Sequence, residues 1–444
     1  MRIYLESLGC RLNYAEMAAL GRRLADAGHE LAASVEQADL CVLNSCAVTG
    51  EAARQSRQLA RRLARANPSA RLLITGCYAT LDGEAAARLP NVALVVGNER
   101  KDELWRIIEE AAERQTDKST DRQADEPGTQ YAVCSTQYAS RTRAFVKVQD
   151  GCRNHCTFCI VTVARGEERS RPIAEVVAEV NALHADGYQE AVLTGVHLGG
   201  YGSDLGADLR SLVTALLEET AIPRLRLSSL EPFDLAADFF DLWPQSGGRL
   251  MPHLHLPAQS GSDAVLRRMA RRNRVADFEA LAAAARDRIP GLTITTDLIV
   301  GFPGETESDF AETIAFARRV GFAHMHIFPY SARAGTAAAR FGDQVPETER
   351  KRRARILAEL DEELGQAVRR AFLGQVRPVL WENTVDDCPA EEGRTVWAGL
   401  TDNYLRALTT VTDGTDLHNR ITPTRLVEVR GDRLWGEVVR SGEE

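Results

Sequence analysis

Apolar residues recur along the first 110 positions in two alternating rhythms. Short apolar runs in RIYLESLGC, DLCVLNSC, ARLLITGC and VALVVG predict strands. Stretches with helical period, AEMAALGRRLADAG and EAARQSRQLARRLARAN, predict helices between them. Strands alternating with helices predict a small parallel, flavodoxin-like α/β sheet. Residues 112–140 are polar, lack sustained apolar period and predict a linker. From 141 the alternation resumes. AFVKVQDGC, EAVLTGVHLGGYG, RLRLSSLEP, HLHLPAQSGS, LTITTDLIVGFPGE and AHMHIFPYS are six strand-plus-loop units. They predict a partial (β/α)6 barrel of the TIM type over 141–370, with function at the C-terminal ends of its strands. Over 371–444, QVRPVLWENT, RTVWAGLTDNYLRALTTV and RLVEVRGDRLWGEVV predict a small β-barrel of a kind that binds RNA. The predicted domains are therefore 1–111, 141–370 and 371–444.

Composition narrows the setting. The chain has 444 residues, 44% hydrophobic and 26% charged, as expected of a globular enzyme with several cores. No run approaches the roughly eighteen apolar residues of a membrane span, and MRIYLESLGC lacks the pattern of a signal peptide. Nine cysteines, an odd number clustered by motif, predict a reducing cytoplasm and metal or catalytic thiols rather than disulfides. The net charge of −9 argues against a nucleic-acid partner. Three arginine-rich clusters nonetheless keep a polyanion in view: Arg54 to Arg65, Arg267 to Arg274, and Arg350 to Arg355.

The cysteines carry the chemistry. Cys152, Cys156 and Cys159 stand at C-x-x-x-C-x-x-C spacing in GCRNHCTFC. Three thiolates hold a soft metal centre and leave one coordination position open on an iron–sulfur cluster. A zinc loop or buried free cysteines is the plainer alternative. Cys10, Cys46 and Cys77 each fall just past a predicted strand, where open α/β sheets bind ligands, so they predict a second three-thiolate site. Three unrelated core cysteines is the alternative there. Gly9, Gly76 and Asn44 are read as permissive turn backbone, and Cys41 as core. Cys134 and Cys388 receive no role.

The Cys152 loop, with Phe158 before its third cysteine, resembles the radical S-adenosylmethionine (SAM) signature. Nearly the whole chain resembles the radical SAM methylthiotransferases, through GCRLNYAE, NSCAVT, TGCYA, GCRNHCTFCIVTVARGEERSRP, LTGVHLGGYG, LSSLEP, HLHLPAQSGSDAVLRRMARR, TTDLIVGFPGETESDF and HIFPYSARAGTAAA. The C-terminal barrel resembles the RNA-binding TRAM domain of that family. The resemblance implies two 4Fe–4S clusters, an auxiliary one on Cys10, Cys46 and Cys77 and a SAM-binding one on Cys152, Cys156 and Cys159. It implies two uses of SAM: one methylates sulfur, and one makes the radical that attacks carbon-2 of an adenine. It also implies a tRNA substrate, an electron donor such as flavodoxin or ferredoxin, and neither membrane nor DNA as partner. LTGVHLGGYG, GCRLNYAE and HIFPYSARAGT are most similar to the group that acts on N6-threonylcarbamoyladenosine at tRNA position 37. The sister groups act on N6-isopentenyladenosine of tRNA and on an aspartate of a ribosomal protein. An iron–sulfur RNA-binding protein without chemistry is the non-enzymatic alternative.

Cofactor contacts are expected from Phe158, Thr194, Gly195, Val196, Ser228, Glu231, Gln259 and Gly301. Phe158 is read as packing on the SAM adenine or as core. Thr194, Gly195 and Val196 follow a strand where related enzymes bind the SAM amino group. Ser228 and Glu231 suit ribose or amino groups, with a turn carboxylate as the other reading of Glu231. Gln259 and Ser260 suit SAM or the second cluster, and Gly301 and Gly304 suit close backbone approach or a turn. Tyr404 and Arg406 are read as RNA contacts or ordinary surface. His197, His253 and His255 are read as satisfied core histidines.

Overall fold

The computed structural model describes residues 1–116, 142–385, 393–412 and 414–439. Most of the predicted linker, with Cys134, and the loop holding Cys388 lie outside the described residues. By contacts the chain divides into two compact units. The first is Met1–Arg141 with Gly151–Arg153 and Cys159–Glu167. The second is Thr142–Asp150, Asn154–Phe158 and Glu168–Glu444. No helix among the described residues is long and apolar enough to cross a membrane.

The first unit is built on β1 (Arg2–Ser7), β2 (Glu30–Leu31), β3 (Leu40–Ser45), β4 (Arg71–Gly76) and β5 (Val92–Val96). All pair in parallel, in the order β2-β1-β3-β4-β5. This is the flavodoxin-like order, and its direction reverses between β1 and β3. The two-residue edge strand β2 escaped the sequence pattern because it carries only one apolar side chain. β3 is buried along its whole length, so its run LCVLNS does not alternate. The helix Leu104–Thr116 runs on into the segment read as linker. Cys41 is core, as expected.

The second unit begins with β6 (Arg143–Lys147) and the short pair β7 (Gln149–Asp150) and β8 (Arg169–Ser170). β9 (Glu190–Thr194), β10 (Arg224–Leu227), β11 (His253–His255), β12 (Thr293–Val300) and β13 (His324–Pro329) follow. β10-β9-β6 and β11-β12-β13 are parallel sheets, joined by the isolated parallel bridges Leu225 to Leu250 and Ser229 to His255. The result is the predicted open arc of six strands. Leu193, Leu225, Leu254, Leu298 and Met325 pack outward into one apolar core with the surrounding helices. The residues between them therefore point to the inner face.

That inner face is polar, and its lower end is closed. β14 (Val376–Thr384), β15 (Arg394–Thr401), β16 (Arg406–Thr412), β17 (Ile421–Arg430) and β18 (Arg433–Val438) form a closed barrel in the order β14-β15-β16-β18-β17. The run RTVWAGLTDNYLRALTTV, read as one segment, is two strands around a turn in which Tyr404 has φ 71°. This turn docks against the first residues of the central strands. Tyr404 stacks on His253 at 4.5 Å, and the Arg226 guanidinium lies 4.9 Å from its ring. Arg224 donates to the carbonyls of Leu400 (3.1 Å) and Pro378 (2.6 Å), and Thr293 donates to that of Asn403. Tyr404 is thus committed to the interior, which corrects its reading as an RNA contact. Arg406 remains on the surface, paired with Asp432 at 3.1 Å.

Glu190 anchors the closed end. It is fully buried and accepts from Arg226 at 2.7 and 3.1 Å, with Arg224 at 3.6 Å. Burial alone raises its pKa, but Arg226, Arg143 and Arg224 pull it down to about 2. Its ionic contribution to stability is therefore present above about pH 4.5 and lost as pH falls toward 2. Glu190→Leu leaves buried guanidinium groups without their carboxylate and is expected to cost about 3–5 kcal/mol. Urea denaturation at pH 7 checks this, and an unchanged midpoint contradicts it.

Candidate iron–sulfur and SAM site

Cys46 and Cys77 follow β3 and β4 directly, and Cys10 follows β1 after Leu8 and Gly9, on adjacent strands at the reversal of strand order. Cys46 and Cys77 are buried and Cys10 is exposed, so the group opens on one side. A Cβ on Gly9 would stand 2.9 Å from the Cys46 sulfur, and Gly9 has φ 111°. Gly76, at φ 95°, lies against the backbone of Ser45. Both glycines are therefore required by close approach. Asn44 is not a backbone device: its amide donates to the Asn13 carbonyl (3.0 Å) and to Glu16 (3.1 Å), and its oxygen accepts from Lys101 (2.9 Å).

Burial foremost, with Cys10 and Cys77 adding to it and the Val48 backbone and Arg165 working against it, pushes the Cys46 thiol up to about 11. Arg165 is itself buried, donating to Glu16 at 2.9 Å and Asn13 at 2.8 Å. Asn98 donates to the Cys77 sulfur (3.7 Å) and to the Ala164 carbonyl (2.7 Å). Ser56 holds the Cys46 backbone from both sides, accepting from its N–H at 3.0 Å and donating to its carbonyl at 2.8 Å. None of Asn13, Glu16, Ser56, Asn98, Lys101 or Arg165 was singled out from the sequence. Asn13 and Glu16 do lie inside GCRLNYAE, and Arg165 inside VARGEERS; Ser56, Asn98 and Lys101 belong to no recognisable motif.

Within the second three-cysteine motif, Cys152 and Cys159 belong to the first unit and Cys156 to the second. Gly151, at φ 73°, admits the Glu167 carbonyl, and the Cys152 N–H donates to the Gly166 carbonyl at 3.1 Å. The Cys159 sulfur accepts from the Val161 N–H at 3.4 Å. The next helix, Val161–Arg165, packs against Cys77–Leu81 within the first unit. In the second unit, Arg271 approaches the Cys156 sulfur at 3.8 Å and is clamped by Glu231 and the Pro257 carbonyl. Burial raises the Cys156 pKa, and the Arg271 charge opposes it. Among the described residues no cysteine is in a disulfide.

The expected cofactor contacts divide. Phe158 packs edge-to-face on Phe302 at 6.5 Å, in a cluster with Val265, Met269 and Tyr330, which is the core reading. Thr194 spends its hydroxyl on the Val146 carbonyl (3.0 Å). Gly195 and Val196 stay half-buried at the end of β9, with Gly195 against Gln149. Ser228 keeps a buried hydroxyl with no hydrogen-bond partner, as a group awaiting a ligand does. Glu231 is held by Arg271, so it is neither a free ligand for an amine nor a simple turn carboxylate. Gln259 has φ 70°, a strained conformation of the kind found at functional sites. The Ser260 hydroxyl accepts from the Ser262 N–H at 3.2 Å and lies 3.4 Å from the Thr313 hydroxyl. Gly301 and Gly304 are filled from outside: a Cβ would meet Arg350 at 2.2 Å and Asp343 at 2.5 Å, respectively, so both serve a packed turn. His197 is buried between Glu168 and Asp234, a satisfied core histidine. His253 is a buried core histidine that stacks on Tyr404 and meets Thr295 through Nε2, while its Nδ1 has no hydrogen-bond partner among the described residues.

The arginine clusters also divide. In the third cluster Arg353 is buried on Glu305, Arg352 pairs with Glu307 and Glu349, and exposed Lys351 pairs with Glu347, so most of its charge is spent within the chain; Arg355 is exposed. On the helix Gly50–Ala66, Arg61, Arg62 and Arg65 are exposed.

Comparison with known proteins matches this architecture. Residues 146–317 match the radical SAM superfamily and residues 2–97 match the uncharacterized protein family UPF0004. The fold resembles the radical SAM methyltransferase TsrM of Kitasatospora setae, with TM-score 0.55, 14% identity, and 74% of this chain and 72% of that one covered. The chain is thus a radical SAM enzyme. The threonylcarbamoyladenosine tRNA methylthiotransferase MtaB of Bacillus subtilis is 33% identical over 100% of this chain and 97% of its own length. That of Aquifex aeolicus is 37% identical over 87% and 96%. The tRNA-2-methylthio-N(6)-dimethylallyladenosine synthase of Halorhodospira halophila is 37% identical over 89% and 85%. The chain belongs to the radical SAM methylthiotransferase family.

Two outcomes follow from the charges. Burial opposes a charged His197, but hydrogen bonds to Asp234 and Glu168 raise its pKa above 6.5. Its ionic stabilisation is full below about pH 6.5 and disappears as pH rises through the raised value. The melting-temperature gap between wild type and His197→Gln is expected to narrow over that range, and a gap constant from pH 6 to 9 contradicts it. In metal-free protein, Arg271→Met removes the charge that opposes the raised Cys156 pKa. Alkylation of Cys156 at pH 8 is expected to slow several-fold; an unchanged rate contradicts the contact.

Proposed function

We propose that this enzyme adds a methylthio group to carbon-2 of N6-threonylcarbamoyladenosine at position 37 of tRNA. In this reading Cys10, Cys46 and Cys77 hold an auxiliary 4Fe–4S cluster, and Cys152, Cys156 and Cys159 hold the cluster that binds SAM. The observation that carries it is the delivery of three thiols by adjacent strand ends of the flavodoxin-like sheet, in a chain that also bears the radical SAM loop. The donor sets suit such clusters: each offers three thiolates and leaves one iron position open. When bound, the clusters and SAM supply one-electron chemistry at a C–H bond and a source of sulfur.

The chain's own residues prepare the sites. Arg165 and Arg271 offset thiolate charge in their respective units, and Asn98 donates to sulfur, which favours an anionic centre. Ser228 offers an unspent buried hydroxyl beside the strand ends. The closed C-terminal barrel is read as the RNA-binding TRAM domain, and the exposed arginines of Gly50–Ala66 as a further polyanion contact. A flavodoxin or ferredoxin supplies electrons, and the cytoplasm is the setting that keeps nine cysteines reduced. The relatives named for threonylcarbamoyladenosine support this substrate. The dimethylallyladenosine relative, at 37% identity over 407 residues, supports the sister substrate as the second reading.

Single-cysteine variants separate the two centres. Reconstituted Cys156→Ala is expected to release no 5′-deoxyadenosine from SAM. Cys46→Ala is expected to keep releasing it while forming no methylthio nucleoside. Methylthio product from Cys46→Ala would exclude Cys46 from the sulfur-donating site.

A further inference from the structure

We propose that His255, Asp297 and His326 form a subsite that reads the polar N6 substituent of the target adenosine. This rests on the substrate reading above and assigns that substrate's distinguishing group to particular side chains. His255 ends β11, Asp297 sits in β12, and His326 is its register partner in β13. Their flanking residues Leu254, Leu298 and Met325 belong to the outer core, so these three point to the inner face. One ligand atom from each lies within 4.8 Å of the others.

The cluster is held by its neighbours. His255 Nδ1 lies 2.9 Å from the Thr295 hydroxyl, and His253 Nε2 lies 3.0 Å from the same oxygen. His255 Nε2 lies 3.3 Å from Asp297 Oδ1. A carboxylate oxygen accepts, so Asp297 offers the inner face an acceptor flanked by two imidazoles. The lower end of the barrel is sealed by other groups, Glu190 with Arg226 and Tyr404 with His253, so Asp297 and His326 are not needed to close it.

The chemistry changes along the strand in a way that suits one ligand. One pleat toward the open, C-terminal end of β13 stands Phe328, 43% exposed. Below it come the exposed His326 and the half-buried Asp297 and His255. A purine stacks on an aromatic ring, and a substituent directed inward meets an acceptor, Asp297, beside imidazole donors. The threonylcarbamoyl group carries a hydroxyl and amide N–H donors, and a carboxylate acceptor. An isopentenyl group carries neither donor nor acceptor and leaves the cluster unpaired, the situation in which polar sites discriminate most strongly.

The test uses full-length reconstituted enzyme with SAM and anticodon stem-loop RNAs carrying threonylcarbamoyladenosine, plain adenosine or isopentenyladenosine. Wild type is expected to bind the first at least about tenfold more tightly than the second, the scale of one polar contact of roughly 1.4 kcal/mol. His326→Leu and Asp297→Leu are expected to bring that ratio near one, and His326→Gln, which keeps a donor, to restore part of it. A ratio unchanged in both leucine variants overturns the subsite, as does equal weakening of all three RNAs. Stoichiometric zinc in wild type that is lost in His255→Ala would make the cluster a metal site and overturn it too. A wild type that binds all three RNAs equally also removes the subsite. Whether the substrate reading falls with it is read separately, from methylthio product on the threonylcarbamoyl RNA.

Discussion

The buried carboxylate of Glu190 decides which end of the central barrel is free. It stands at the first residue of β9, and Arg226 and Arg224 converge on it from β10. An unpaired charge there would be expensive, so the lower mouth is organised around satisfying it. Arg224 then spends its remaining donors on carbonyls of the C-terminal barrel, and Tyr404 lies against Arg226 and His253. One end is sealed by charge and stacking. The opposite, C-terminal ends of the strands are left for chemistry, as in other barrels built on parallel strands.

The same logic of strand ends governs the first unit. In a doubly wound parallel sheet such as this one the strand order reverses, and the crevice outside the strands opens at that point. Cys10 and Cys46 flank it, and Cys77 stands one strand further. The buried set of Glu16, Lys101, Arg165, Asn13 and Asn44 braces this edge through direct hydrogen bonds. Burial, and after it the neighbouring thiols Cys10 and Cys77, press the Cys46 pKa upward, so ionising these thiols needs compensation. On the proposed reading, a cationic metal centre would relieve that pressure and couple folding to cluster binding.

Much of this was legible in the sequence, because period and cysteine spacing are local signals. The parallel sheet, the six strand-plus-loop units and the C-terminal β-barrel all follow from apolar rhythm. What was not legible depends on partners far apart in the chain. Tyr404 looks like a surface aromatic until β11 is seen beneath it. Arg353 looks like part of a basic patch until Glu305, 48 residues away, is found against it. Glu231 looks like a turn residue until Arg271 closes on it. Gly301 and Gly304 look like cofactor contacts, but their missing side chains make room for Arg350, Asp343 and Arg268. Long-range ion pairs and packing against glycine leave no periodic trace.

The central claim is a chemical one, so the most direct test is mass spectrometry of nucleosides. tRNAs carrying threonylcarbamoyladenosine and isopentenyladenosine are incubated anaerobically, side by side, with reconstituted enzyme, SAM and reductant. The account predicts a methylthio mass gain on threonylcarbamoyladenosine alone. A gain on isopentenyladenosine alone would contradict the substrate assignment and leave the chemistry standing, whereas SAM cleavage with no gain on either would contradict tRNA as the substrate.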